Sequence, residues 1–295
     1  MTAIEIKQRV TDNAERTEAY LKTLFSEALT GNNGLTDAMQ YALLGGGKRL
    51  RAFLVNETGR AFGASAEGTA PFAAAIEMIH AYSLIHDDLP CMDNDGMRRG
   101  KPSCHIAFGE ANALLAGDTL LTYAFEVAAS NRGCSDRSVK LAVAELARSA
   151  GALGMCGGQF YDLRENVSSV EEIYRTERWK TGALLRASLL MGYYAATDTP
   201  DEAVARALAG YAEDIGIAFQ ITDDILDVTA TAEELGKPIG SDAKNGKKTV
   251  LSFLSMEEAA AAARQFTDNG IAAVRDLSAG EILSALALYL LDRRS

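Results

Sequence analysis

The sequence predicts an all-α protein, and three observations predict it. Only 5 prolines occur in 295 residues, and long stretches are rich in Ala, Leu, Glu and Lys or Arg, all good helix formers. Strand alternation is nearly absent, while helical periodicity recurs almost everywhere between loops of Gly, Asn, Asp, Ser and Thr. Two stretches, "FAAAIEMIHAYSLIH" (72–86) and "GYAEDIGIAFQITDDILD" (210–227), are apolar on nearly every face. Helices of that kind belong in the middle of a bundle.

Taken in order, the periodicity predicts helices over 3–29 and 35–44, separated by "GNNG", and then 49–63 after "LGGGK". A central helix over 71–88 stops near Asp88, because Pro90 cannot continue it. Helices over 109–130 and 136–153 flank "NRGCSD"; 170–176 and 179–195 precede "AATDTPD". The second central helix lies within 201–227. After "KPIGSDAKNGKK" come 249–265, 268–276 and 280–292. No shift of composition and no fixed-period repeat divides the chain, so one domain over residues 1–295 is expected.

Composition narrows the function. A hydrophobic content of 48% allows a large core, and a formal net charge of -11 argues against nucleic acid, which is gripped by Lys and Arg. It also argues against a basic membrane-surface face. No apolar run is both long enough and free enough of charge to span a bilayer, and the charged N-terminus "MTAIEIKQRVTDNAERTEAYL" lacks the core of a signal peptide. Cys91, Cys104, Cys134 and Cys156 include no CxxC pair and read as free thiols, so a cytoplasmic location is expected.

Two acidic clusters stand out. The first is Asp87, Asp88, Asp93 and Asp95; the second is Asp223, Asp224 and Asp227. Each falls near the C-terminal end of a buried helix, where the macrodipole already disfavours negative charge. Asp223 and Asp227 are one helical turn apart and face the same way. Something cationic must compensate. Clustered carboxylates suit hard divalent ions, above all Mg²⁺, which commonly bridges one or two carboxylates to substrate phosphates. Basic residues supply the rest: Lys48, Arg49 and Arg51 after Gly45–Gly47, Arg98 and Arg99 after the first cluster, Lys180 and Thr181 at a helix start, then Lys237, Lys247 and Lys248. The Gly-rich stretch has neither Walker spacing nor a preceding strand. Together these residues describe a diphosphate site, in which Arg matches phosphate oxygens in pairs and Lys acts as a point charge.

The stretches "GGGKRLR", "IHAYSLIHDDLPCMDNDGMRRGKPSCHIAFGEANALLAGD", "GMCGGQFYDL", "KTGALLRAS" and "GIAFQITDDILDV" resemble the motifs of the polyprenyl (isoprenyl diphosphate) synthases, nearest in kind to bacterial short-chain farnesyl diphosphate synthases. The resemblance runs from about residue 40 to the C-terminus. It implies an isoprenoid-synthase-type bundle of about ten or more helices around a central cavity, a homodimer, and Mg²⁺ as three ions with bound diphosphate. It implies that Asp87, Asp93 and Asp223 bind metal, with Asp88 and Asp227 as neighbouring carboxylates. Arg98 is implied to contact the allylic diphosphate. Lys48, Arg51, His80 and Arg99 are implied to hold that of isopentenyl diphosphate. Lys180, Thr181, Gln220, Lys237 and Lys247 are implied to line the allylic side. The chemistry implied is ionisation of an allylic diphosphate, head-to-tail attack by isopentenyl diphosphate and loss of a proton. One departure is Gly96, where an acidic residue is common.

Tyr82 lies five residues before Asp87, roughly 7.5 Å down the helix axis at 1.5 Å per residue, with Ser83 beside it. A bulky residue at that depth is a floor for the growing tail, and in the resembling family it fits a farnesyl (C15) product. A core tyrosine is the plain alternative. "LPCMDND" also occurs in geranylgeranyl (C20) synthases, so C20 stays open. Other chemistries fit less well. A class I terpene cyclase carries a different second motif. A di-iron bundle needs two Glu-x-x-His motifs, and Glu77–His80 is one, with only His86 and His105 remaining. A non-catalytic subunit predicts damaged aspartate motifs, and these are intact.

Overall fold

The computed structural model describes residues 1–28, 33–164, 167–229 and 248–292, and it is an all-α bundle. Helices α1 (Ala3–Ala28), α2 (Asn33–Leu43), α3 (Leu50–Phe62) and α4 (Ala66–Asp87) follow one another. A two-residue hairpin, β1 (Met97–Arg98) and β2 (Lys101–Pro102), precedes α5 (Cys104–Phe108), α6 (Glu110–Ala129), α7 (Asp136–Ala150) and α8 (Met155–Asp162). Then come α9 (Val170–Glu177), a π-helical turn over Arg178–Gly182, α10 (Ala183–Ala196), α11 (Glu202–Thr229), α12 (Met256–Val274) and α13 (Gly280–Leu291).

Helix α4 is the axis of the bundle. Phe72, Ala73, Ala74, Ala75, Ile76, Met78 and Ile79 are all buried, as its all-round apolar text requires. They pack with Met39, Leu43, Val55, Leu120, Leu146, Leu184 and Met191 in one cluster. A second cluster joins α1 and α3 to α10, α11 and α13 through Ile6, Phe53, Leu189, Tyr211, Ile215 and Leu283. A smaller one, with Ile173, Ile217, Ile221 and Val250, lies beside α9 and α11. Helices approach closely where glycines replace side chains. A Cβ on Gly192 would stand 2.3 Å from the Val55 carbonyl oxygen, and one on Gly117 2.2 Å from His86 Nε2.

Two predicted helix extents are corrected, and three elements were not expected. Helix α4 begins at Ala66, not 71, because the Ser65 side chain accepts from the Gly68 amide and caps a start five residues earlier. Pro71 sits inside the helix. Residues 256–274 form one helix rather than two; Ser255 and Glu258 make its capping box. Helix α8 was hidden by its own glycines, which score poorly as helix formers. The short α5 and the hairpin at 97–102 were missed too. The hairpin turns through Arg99 (φ 52°) and Gly100 (φ 74°), the paired positive φ values of a type I′ turn.

Candidate active site

The C-terminal end of α4 is built from the residues of the first acidic cluster. Asp87 is the last helical residue and Asp88 the cap. Beyond Pro90 the chain folds back, and the Asp93 amide donates to the Asp87 carbonyl at 2.8 Å. Asp93 is thereby held at the helix end although Pro90 and Cys91 lie between. Burial pushes the Asp87 carboxyl up to about 6, with the charges of Asp93 and Asp88 adding to the effect and those of Lys180 and Arg98 opposing it. A half-buried carboxyl strained in this way is relieved by a cation.

Asp88 differs from its neighbour. It is 2% exposed and engaged by Arg98, whose Nε donates to Oδ1 at 3.0 Å and Oδ2 at 3.2 Å and whose Nη2 also donates to Oδ1. Asp95 lies 3.6 Å from Arg98 Nη2. The hairpin delivers Arg98 and Arg99 to opposite ends of this region. Arg99 Nη1 donates to the Gly46 carbonyl, and its guanidinium carbon would lie 3.0 Å from a Cβ on Gly47, whose φ is +114°. Only glycine meets both demands there.

Beside this end is a cationic pocket. His80 stands two turns before Asp87 on α4. Its imidazole is held well below its usual range, first by burial and then by the charges of Arg51, Arg99, Arg49 and Arg98. Burial likewise lowers Arg51 and Arg99. The Nε of Arg51 is buried without a hydrogen-bond partner, an arrangement that is costly unless an anion completes it. Lys48 is exposed at the mouth of the loop. Arg49, whose Nε is likewise buried without a partner, is tied inward by its other nitrogens, which donate to Glu77 Oε2 at 3.4 Å and to the Leu43 carbonyl at 2.5 Å. Glu77 also accepts from the Ala52 amide at 3.0 Å.

The π-helical turn presents Lys180 and Thr181. Lys180 Nζ donates to Asp162 Oδ2 at 2.5 Å, and Thr181 donates to Glu177 Oε2 at 3.0 Å. A π turn leaves the normal hydrogen-bond ladder and is common at functional sites. It is packed hard against α8: a Cβ on Gly158 would stand 2.2 Å from the Lys180 amide nitrogen. Asp162 and Glu177 were missed by the reading of the sequence. Asp162 lies within "GMCGGQFYDL", a motif noted without a role for any of its residues.

The second cluster lies on α11. Asp224 and Asp227 are buried, and Asp223 is half-buried. Gln220 Nε2 donates to Asp224 Oδ1 at 3.0 Å, and the Val250 amide to Oδ2 at 3.0 Å. Lys237 and Lys247 lie outside the described residues, while Lys248 donates to the Val167 carbonyl at 2.9 Å. Among the described residues, no group of three or more His, Cys, Asp or Glu is placed to hold a metal on protein ligands alone. Asp87 and Asp93 gather at the end of α4, and Asp223 stands on α11.

Tyr82 is 6% exposed. Its ring meets that of His86 edge-on at 5.7 Å, and its hydroxyl lies 3.4 Å from Cys156 Sγ. Ser83 turns inward on its own helix and donates to the His80 carbonyl at 2.9 Å.

The chain is similar to known proteins over most of its length. A model of the polyprenyl synthetase family matches residues 32–288. Farnesyl diphosphate synthase of Escherichia coli K12 is 46% identical over 270 residues, covering 89% of this chain and 90% of that protein. Geranylgeranyl diphosphate synthase of Cyanophora paradoxa is 43% identical over 249 residues, covering 83% and 82%. The crystal structure of an FPP/GFPP synthase from Zymomonas mobilis superposes with a TM-score of 0.86 at 35% identity, covering 98% of this chain and 100% of that one.

Proposed function

The chain belongs to the polyprenyl synthetase family, and we propose that it is a Mg²⁺-dependent prenyltransferase making farnesyl diphosphate. It condenses isopentenyl diphosphate head to tail with dimethylallyl or geranyl diphosphate. The observation that carries this reading is that Asp87, Asp88 and Asp93 gather at the end of α4 while the hairpin sets Arg98 on Asp88 and Arg99 on the Gly46 carbonyl, near His80 two turns earlier. One side calls for cations and the other for an anion.

In this reading Asp87, Asp93 and Asp223 would hold Mg²⁺, which when bound would supply the positive charge that makes an allylic diphosphate a better leaving group. Arg98 and Lys180 complete that grip. Arg98, clamped by Asp88, is pre-aligned toward the same end of α4 as Asp87. Lys48, Arg51, His80 and Arg99 take the diphosphate of isopentenyl diphosphate. His80 enters neutral and can donate a hydrogen bond without adding a further charge to the arginine pocket. Thr181 and Gln220 are assigned to the allylic side by resemblance, with the Thr181 hydroxyl and nearby carbonyls of the π turn steadying the allylic cation. The apolar wall of α4 excludes water from that cation. Lys237 and Lys247 are assigned to the allylic side by resemblance alone.

Tyr82 ends the tail space at the farnesyl length. The alternative, a geranylgeranyl product, draws on "LPCMDND" and on likeness to the Cyanophora paradoxa geranylgeranyl diphosphate synthase. We further propose that residues 1–295 act as one domain and that two chains form a homodimer. Exposed Ile106, Leu114 and Leu115 around α5 and α6 support the latter. No helix among the described residues is long and apolar enough to cross a membrane. Incubation with Mg²⁺, isopentenyl diphosphate and geranyl diphosphate, with products resolved by length, tests the proposal. A dominant C15 product is expected. A dominant C20 product rejects the length assignment, and no prenyl transfer rejects the function.

A further inference from the structure

Tyr82 does not close the tail space by itself. Its hydroxyl reaches across to α8 and meets the Cys156 thiol at 3.4 Å, a normal distance for a hydrogen bond to sulfur. The ring belongs to α4 and the thiol to α8, so the pair spans the gap between two helices. The far end of this span is also anchored. Gly157 follows Cys156, and a Cβ there would lie 2.1 Å from the Ala152 carbonyl oxygen and 3.0 Å from the Trp179 ring. A Cβ on Gly158 would likewise lie 2.2 Å from the Lys180 amide nitrogen. Cys156 is therefore fixed to the same backbone that carries Lys180.

We propose that Cys156 is a specificity-determining residue: its thiol pins the Tyr82 hydroxyl, and the two side chains together form the bar that sets product length. The inference rests on the reading of Tyr82 as the floor. A lone tyrosine on a helix can swing between staggered side-chain positions, and one such swing opens the passage below Asp87. The hydrogen bond holds the closed position. Because Cys156 and Lys180 share one rigid packing unit, the bar keeps a constant distance from the end that grips diphosphate. Cys156 is itself exposed, so the bond rather than surrounding packing orients its thiol. Burial and the nearby thiol push the Tyr82 phenol upward, and it stays neutral and able to donate at physiological pH.

The test is the ratio of C20 to C15 product from geranyl diphosphate and isopentenyl diphosphate, in wild type, Cys156→Ala, Tyr82→Phe and the double variant. A hydrogen bond of ordinary strength predicts that each single change raises the ratio roughly three- to ten-fold. The double variant should do no more than either single one, since both remove the same bond. Cys156→Ser keeps a hydrogen-bonding atom and should stay near the wild-type ratio. Tyr82→Ala separates the two readings. If it lengthens the product while Cys156→Ala and Tyr82→Phe leave the ratio unchanged, the floor stands and the role of Cys156 is overturned. If Tyr82→Ala also changes nothing, the floor reading itself fails. Additive effects in the double variant overturn the shared bond.

Discussion

His80 shows how much one residue's surroundings decide. Near the middle of an apolar helix it reads equally well as a core residue, and spacing alone gives no reason to choose. What marks it is the company of Arg49, Arg51, Arg98 and Arg99, which arrive from α3, its preceding loop and the hairpin. Its folded-state value lies well below 6.5, so the folded protein binds fewer protons there than the unfolded chain. Stability is then full above the unfolded value and declines as pH falls through 6.5 toward the folded value. Chemical denaturation at pH 7.5 and 5.5 should show a drop in wild type that is smaller in His80→Gln. Equal drops would contradict the assignment. Asp88 and Arg49 carry the complementary lesson. Both stand within functional-looking runs of charge, yet Asp88 clamps Arg98 and Arg49 is tied to Glu77. Charge identity was legible in the sequence, but the partner of each charge was not, because partners come from distant segments.

At the scale of elements, the long helices were legible because their apolar faces repeat at helical spacing or, in α4, cover the whole surface. Helix α8 was not, since its Gly157 and Gly158 lower helix propensity while serving tertiary contact. The same glycines explain what the π turn needs. Gly158→Ala forces a Cβ to within 2.2 Å of the Lys180 amide nitrogen, a backbone clash that no rotamer change relieves. It should lower both the thermal midpoint and kcat sharply, by displacing Lys180. Gly210→Ala is the contrast. It lies inside α11 with nothing within 4 Å of the added carbon, and should stabilise by about 0.5–1 kcal/mol. Thermal denaturation of both variants checks the pair; a neutral Gly158→Ala would contradict the close packing of α8.

Over the whole molecule, the first acidic cluster was legible because Pro90 ends α4 beside Asp87 and Asp88, whichever way the rest folds. The proposed pocket for isopentenyl diphosphate was legible only through resemblance, since its residues come from α3 and its preceding loop, α4 and the hairpin. The proposed homodimer makes a further prediction: sedimentation should give twice the mass of the 31.4 kDa chain, and Leu115→Glu should shift it toward one chain. An unchanged dimer would move the interface away from α6. The central claim is that the carboxylates of α4 and α11 act on diphosphate through metal. Calorimetric titration with inorganic diphosphate tests it most directly, in wild type, Asp87→Ala and Asp223→Ala. The account predicts binding by wild type only when Mg²⁺ is present, and loss of that binding in both variants. Equal binding with and without Mg²⁺, or wild-type binding by either variant, would contradict it.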